Sequence, residues 1–116
     1  MERLENPFTI PLLICGMIFF VVGLLLLFFP PKKINSLYGY RTPNSMKSQE
    51  RWDFSQKYSS NLMWKCGVGI ALLSLLGLVL PDWSSSTQSV LVVFVLLVPI
   101  IIIFWKTEKA IKNKFE

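Results

Sequence analysis

Long uncharged runs alternate with short polar stretches along this chain, and the alternation predicts its elements. The first run extends from Phe8 to Phe29 without a charged residue. At about 1.5 Å per residue a helix of that length covers roughly 33 Å, enough to cross a hydrocarbon core of about 30 Å. The second run, Leu62 to Leu80, holds only Lys65 near its start and is closed by Pro81. The third runs from about Val90 to Trp105 and borrows a turn from the preceding Ser84–Ser89 stretch. Within lipid each backbone polar group must be satisfied inside its own segment, so runs of this length predict helices. Pro11 falls in a first turn, where a missing N–H costs least, and Pro30-Pro31 stops the first helix. Pro99 lies inside the third run and predicts a kink. The pattern predicts an all-α integral membrane protein of one domain, residues 1–116, with spans at about 8–29, 62–80 and 88–105.

The polar segment 30–61 has a pattern of its own. Tyr38-Gly39-Tyr40 reads as a turn with positive φ at the glycine. Thr42-Pro43 resembles an N-cap followed by proline at the first helical position, with Asn44 or Ser45 as alternative caps. Nothing from there to Asn61 breaks a helix, so an interfacial helix is expected to lead straight into the second span. Asp53 and Lys57 are spaced as an i, i+4 ion pair. On a helical wheel Lys47, Arg51, Phe54, Tyr58, Leu62 and Lys65 form a basic and aromatic stripe suited to lipid headgroups. A second stripe collects Ser48, Trp52, Ser55, Gln56, Ser59 and Met63. That face either docks on the protein's own spans, the favoured reading, or forms a ligand- or protein-docking surface.

Charge then orients the spans. The chain carries 12 Lys and Arg against 7 Asp and Glu, for a net charge of +5. Lys32, Lys33, Arg41, Lys47, Arg51 and Lys57 fill the first loop, and Lys106, Lys109, Lys112 and Lys114 fill the tail 106–116. The N-terminus has only Arg3, with Glu2 and Glu5, and the loop Pro81–Ser89 has no cation. The excess of Lys and Arg puts the loop and tail in the cytoplasm, with the N-terminus outside. Trp64 and Trp105 then fall at the inner interface and Trp83 at the outer one. Basic residues flanking apolar runs point to a bilayer with anionic headgroups as partner, and nucleic acid is not expected. The acidic start and the absence of a small-residue cleavage site make the first run a retained helix.

Small residues suggest how the helices meet. Gly67, Ala71 and Ser74 share a face of the second span, and Gly16 and Gly23 are one heptad apart in the first. Such faces allow backbones to approach closely. Packing within one chain is favoured over a homodimer seam. The third span has no small residue between Val90 and Trp105 and is expected to be the most lipid-exposed. Cys15 and Cys66 lie at depths too different for a disulfide.

Chemistry-bearing motifs are sparse. Histidine is absent, and neither HExxH, GxSxG nor a glycine-rich phosphate loop occurs, so no enzyme, cofactor or metal site is expected. Lys65 is the ionisable residue inside a span and is expected to snorkel to the inner phosphates. Arg41 and Lys47, with a helix N-terminus near Thr42 and Asn44, form a candidate anion site. Candidate ligand- or partner-binding positions are Tyr40, Arg41, Thr42, Asn44, Lys47, Trp52, Gln56 and Lys65.

The run Gly39-Tyr40-Arg41-Thr42-Pro43, with Ser45 and Met46 close behind, then Trp52 and a helix leading into a span, resembles the SdpI family of bacterial membrane proteins. The resemblance covers about Ile34 to Leu80 and is to the short, YfhL-like members. It implies a cell-membrane protein giving immunity to a secreted peptide toxin; with no residues for covalent or acid–base chemistry, protection is expected to come from binding or occluding the peptide. For the family's namesake it also implies signalling by capture of a cytoplasmic repressor. A small lipid-binding or structural membrane module is the alternative, with an oligomeric small transporter behind it.

Overall fold

The computed structural model describes residues 7–79 and 83–116. Glu2, Arg3, Glu5 and the expected stop at Leu80–Pro81 lie outside the described residues. Three helices follow one another: α1 (Thr9–Phe28), α2 (Gln49–Ser74), which tightens into a 3-10 turn over Leu75–Leu78, and α3 (Ser85–Phe115). All three are long and apolar enough to span a membrane, and there is no strand among the described residues.

The helix ends follow from local chemistry. Ser48 caps α2, its hydroxyl accepting from the Arg51 N–H at 3.1 Å, and Glu50 favours the first turn. Ser84 caps α3 in the same way through the Thr87 N–H at 3.2 Å. Lys112 and Lys114 sit in the last turn of α3, where cations suit exposed carbonyls.

Several expectations need correction. The interfacial segment becomes helical at Gln49, not near Thr42-Pro43. Residues Thr42–Met46 form a turn of their own, closed by Met46 N–H to the Thr42 carbonyl at 3.1 Å. The Ser45 hydroxyl accepts from the Thr42 N–H at 2.9 Å, and the Thr42 hydroxyl accepts from the Ser45 N–H at 3.2 Å. Reciprocal side-chain bonds of this kind compete successfully with a helical start. Asp53 accepts from Gln49 Nε2 at 2.8 Å, and no Asp53–Lys57 ion pair forms. At the other end of the chain, α3 continues through the tail to Phe115, and Pro99 lies inside the helix, where the sequence places it. The extension holds because Thr107 and Ile111, one turn apart, are both buried.

The small residues pack α1 on α2 inside the one chain. A Cβ on Gly16 would come within 2.7 Å of the Ala71 nitrogen, and one on Gly23 within 2.5 Å of the Trp64 nitrogen. Gly67 lies equally close to Phe20 and Gly16. The close backbone approach expected of these faces is thus made between α1 and α2. The span of α3 is the least buried of the three. Its anchor at the end remote from the basic residues is an apolar core of Phe8, which precedes α1, Leu12 from α1, Ile70 from α2 and Val92 from α3. Cys15 and Cys66 are free thiols.

Both basic segments gather at the other end of the bundle. There the loop 30–48 and the last turns of α3 lie on the first half of α2. The face of Trp52, Ser55, Gln56 and Ser59 is buried under them. The opposite stripe also finds partners within the chain: Phe54 packs edge-on to Phe115 with ring centroids 5.8 Å apart, and the Arg51 guanidinium lies 5.5 Å from the Phe115 ring.

Candidate functional site

The basic end is organised around a loop that has no regular structure yet is extensively bonded. Asn35 starts it, its Oδ1 accepting from the N–H groups of Leu37 and Tyr38, each at 2.9 Å. Gly39 then takes φ +100, where a side chain would be strained. The same glycine has no room for a Cβ, which would lie 2.6 Å from Gln56 Oε1 and 2.7 Å from Pro31 Cγ. The expected turn at Tyr38-Gly39-Tyr40 is therefore present, and it delivers Tyr40 to the interior.

Three helix-borne side chains hold the loop. Gln56 donates through Nε2 to the Tyr40 carbonyl at 2.7 Å and accepts the Tyr40 N–H at 2.8 Å. Trp52, fully buried, donates through Nε1 to the Pro31 carbonyl at 2.6 Å. Glu108 on α3 takes the Tyr40 hydroxyl at 2.7 Å with one oxygen and the Asn44 amide at 2.7 Å with the other. The Tyr40 and Phe104 rings stack at 5.4 Å beside this contact. Loop, α2 and α3 are locked by one connected network.

Its electrostatics are self-consistent. Partial burial pushes the Glu108 carboxyl pKa up, but hydrogen bonds from Thr42, Asn44 and Tyr40 outweigh it and hold the group below the ordinary carboxylate range. The Tyr40 hydroxyl is driven far above its usual value, first by burial and then by the neighbouring Glu108 charge. A charged acceptor facing a neutral donor is the stable pairing at neutral pH.

Of the eight candidate positions, the network brings together Tyr40, Thr42, Asn44 and Gln56, with Trp52 one turn away under Pro31. Arg41, Lys47 and Lys65 are exposed and stand apart from it. With the α2 start at Gln49, the helix N-terminus expected near Thr42 and Asn44 lies instead at Ser48, next to Lys47. The Lys65 ammonium lies 5.8 Å from the Trp64 ring, on an exposed face. Sequence reasoning missed Glu108 and left Ser45, fully buried here, as a cap. The available signal for Glu108 was its position as an acid between Lys106 and Lys109, on the same helical side as Thr107 and Ile111.

Beneath the loop, a cavity of about 260 Å³ lies between the three helices, walled by Phe19, Met63, Ile100 and Phe104 and by the Ser59 and Ser60 side chains. Both serines turn their hydroxyls to the Gln56 carbonyl, at 3.3 and 2.5 Å. The cavity therefore presents a mainly apolar surface. A second hollow of about 350 Å³, lined by Phe54, Lys57, Tyr58, Asn61 and Lys114, opens on the other side of α2. Among the described residues no group of acidic, thiol or imidazole side chains is placed to hold a metal ion.

Comparison with known proteins sets this geometry in a family. The model of the SdpI/YfhL protein family matches residues 32–106, a stretch holding the loop from Lys32 onward, all of α2 and most of α3. The uncharacterized protein YfhL of Bacillus subtilis (strain 168) is 38% identical over 100 residues, covering 86% of this chain and 84% of that protein. No solved structure matches the chain. With three membrane-length helices, a loop latched across two of them, and a match over most of its length, the chain is a multi-pass membrane protein that belongs to the SdpI/YfhL family.

Proposed function

We propose that this protein is an immunity protein of a bacterial cell membrane, which binds or occludes a secreted, membrane-active peptide without covalent turnover. Membership of the SdpI/YfhL family carries this reading. In this reading the basic end faces the cytoplasm, because the loop, the first half of α2 and the tail together carry 10 of the 12 Lys and Arg. The apolar cavity beneath the loop supports the binding step. At about 260 Å³ it is smaller than most pockets that enclose a whole small molecule, roughly 300–1,000 Å³. It suits one or two apolar side chains of a peptide lying against the bundle. The latched loop, with Arg41 and Lys47 on its exposed side, is the surface offered to a cytoplasmic protein partner.

A sensitive bacterium challenged with the toxin, with and without this protein expressed, tests the proposal. Protection is expected to rise with expression level and to be overwhelmed by excess toxin, since each molecule neutralises a limited number of peptides. Toxin incubated with the purified protein in liposomes should be recovered intact and bound. Cleaved or modified toxin in many-fold excess over the protein would overturn the mechanism. A lipid-binding module is the second reading, favoured by the internal pairing of the loop's own polar groups. Absence of protection with the network intact would select it.

A further inference from the structure

We infer that the hollow between α2 and the end of α3, lined by Phe54, Lys57, Tyr58, Asn61 and Lys114, is a binding site for the phosphate headgroup of an anionic phospholipid. Phe54, Lys57, Tyr58 and Asn61 recur at helical spacing on one side of α2, immediately before its first apolar turn at Leu62. Lys114 arrives from α3 only because that helix continues through the tail. Its ammonium stands 4.6 Å over the Phe54 ring, which fixes a long side chain above the hollow.

The donors there have no partner within the chain. The Asn61 Oδ1 is taken by the Trp64 indole N–H at 3.2 Å, which leaves the Asn61 Nδ2 as an uncommitted donor. No hydrogen bond or ion pair within the chain engages the Lys57 ammonium or the Tyr58 hydroxyl, and no carboxylate lines the hollow. Two lysines, a tyrosine and an asparagine lining one space of about 350 Å³ make a site for an anion, although Lys57 also borders a neighbouring hollow that holds Asp53. Its depth selects the source. From Phe54 to Asn61 a helix rises about 10 Å, close to the thickness of one headgroup layer, roughly 5–8 Å. Leu62 and the rest of the span begin directly below, where the lipid's acyl chains would run. A lipid phosphate meets both surfaces; free phosphate meets only the donors.

The test titrates phosphatidylglycerol into the full chain in neutral detergent and follows its melting temperature. Phosphatidylcholine and inorganic phosphate at equal concentration serve as comparisons. Phosphatidylglycerol is expected to raise the melting temperature, and the two comparisons are not. Lys57→Gln with Lys114→Gln should raise the half-saturating phosphatidylglycerol concentration by about tenfold. Lys33→Gln with Lys112→Gln, which removes the same charge elsewhere, should leave it unchanged. Tyr58→Phe keeps the ring and removes only the hydroxyl, and a two- to threefold weakening is expected (about that of one lost hydrogen bond). Equal weakening by both lysine pairs, no weakening by the first pair, or stabilisation by inorganic phosphate alone would each overturn the assignment.

Discussion

The carboxamide of Gln56 grips Tyr40 by both of its backbone polar groups, donating to the carbonyl at 2.7 Å and accepting from the N–H at 2.8 Å. A neighbouring strand would satisfy a residue in the same two-bonded way. Here one side chain on a helix does so, and an irregular loop is seated without leaving buried backbone groups unpaired. Gln56→Leu removes both bonds while keeping much of the volume. Each orphaned buried group costs about 1–3 kcal/mol, so a loss of about 2–5 kcal/mol is expected in detergent melts. Trypsin should then cut within the loop at Lys32, Lys33 or Arg41. An unchanged melt with an uncut loop would refute this role for Gln56.

Stability should depend on pH through Glu108 and Tyr40, in opposite directions. The Glu108 carboxyl titrates lower in the folded protein than in the unfolded chain. Its contribution is therefore present above the ordinary carboxylate pKa of about 4 and is lost as pH falls through the lower folded value. Tyr40 titrates higher when folded, so its contribution is present below about pH 10 and fades as pH rises beyond it. Melting temperature should show a plateau between these limits. Glu108→Gln should flatten the acid limb and lower the plateau by about 1 kcal/mol or more, because the amide keeps one neutral oxygen acceptor and turns an NH2 donor toward the other partner. An acid limb identical in the variant would exclude Glu108 as its cause.

Two glycines on α2 should respond oppositely to the same change. A Cβ at Gly67 would lie 2.6 Å from the Gly16 carbonyl oxygen and strike the Phe20 backbone as well, whereas one at Gly69 meets nothing within 4 Å. Gly67→Ala forces two backbones apart and should cost about 1–3 kcal/mol. Gly69→Ala should be neutral or stabilise by up to about 1 kcal/mol through helix propensity. Equal effects in thermal melts would count against a tight α1–α2 seam.

The proposed orientation is checked by chemistry on intact cells. Cysteine placed at Ser36, in the loop, should resist a membrane-impermeant thiol reagent, and cysteine at Ser85, at the start of α3, should react. The reverse pattern, or labelling of both, would discard the positive-inside assignment.

The spans were legible because lipid leaves little choice: uncharged runs of membrane length must be helices. Gly16, Gly23, Gly67 and Ala71 were legible for a related reason, since close packing takes over from the hydrophobic effect inside the bilayer. The burial of Trp52 and Gln56 followed from their shared stripe. The start of α2 was not legible, because Thr42 and Ser45 are as good at closing a turn on each other as at capping a helix. Glu108 was hidden for a deeper reason. Its partners are far away in sequence, and its own neighbours are lysines that read as a solvated tail.

One consequence follows from the unbroken length of α3. Val92 pins the helix in the apolar core at one end of the bundle, and Glu108 pins it to the loop at the other. The two points are about 24 Å apart along the helix. A swing of about 5° at Val92 would carry Glu108 sideways by about 2 Å, beyond what a bond of 2.7 Å tolerates. The Glu108 bonds to the loop therefore fit one inclination of α3, while Gln56 and Trp52 hold the loop to α2. The Glu108 contacts thus tie the inclination of α3 to the seating of the loop, two features at opposite ends of the bundle.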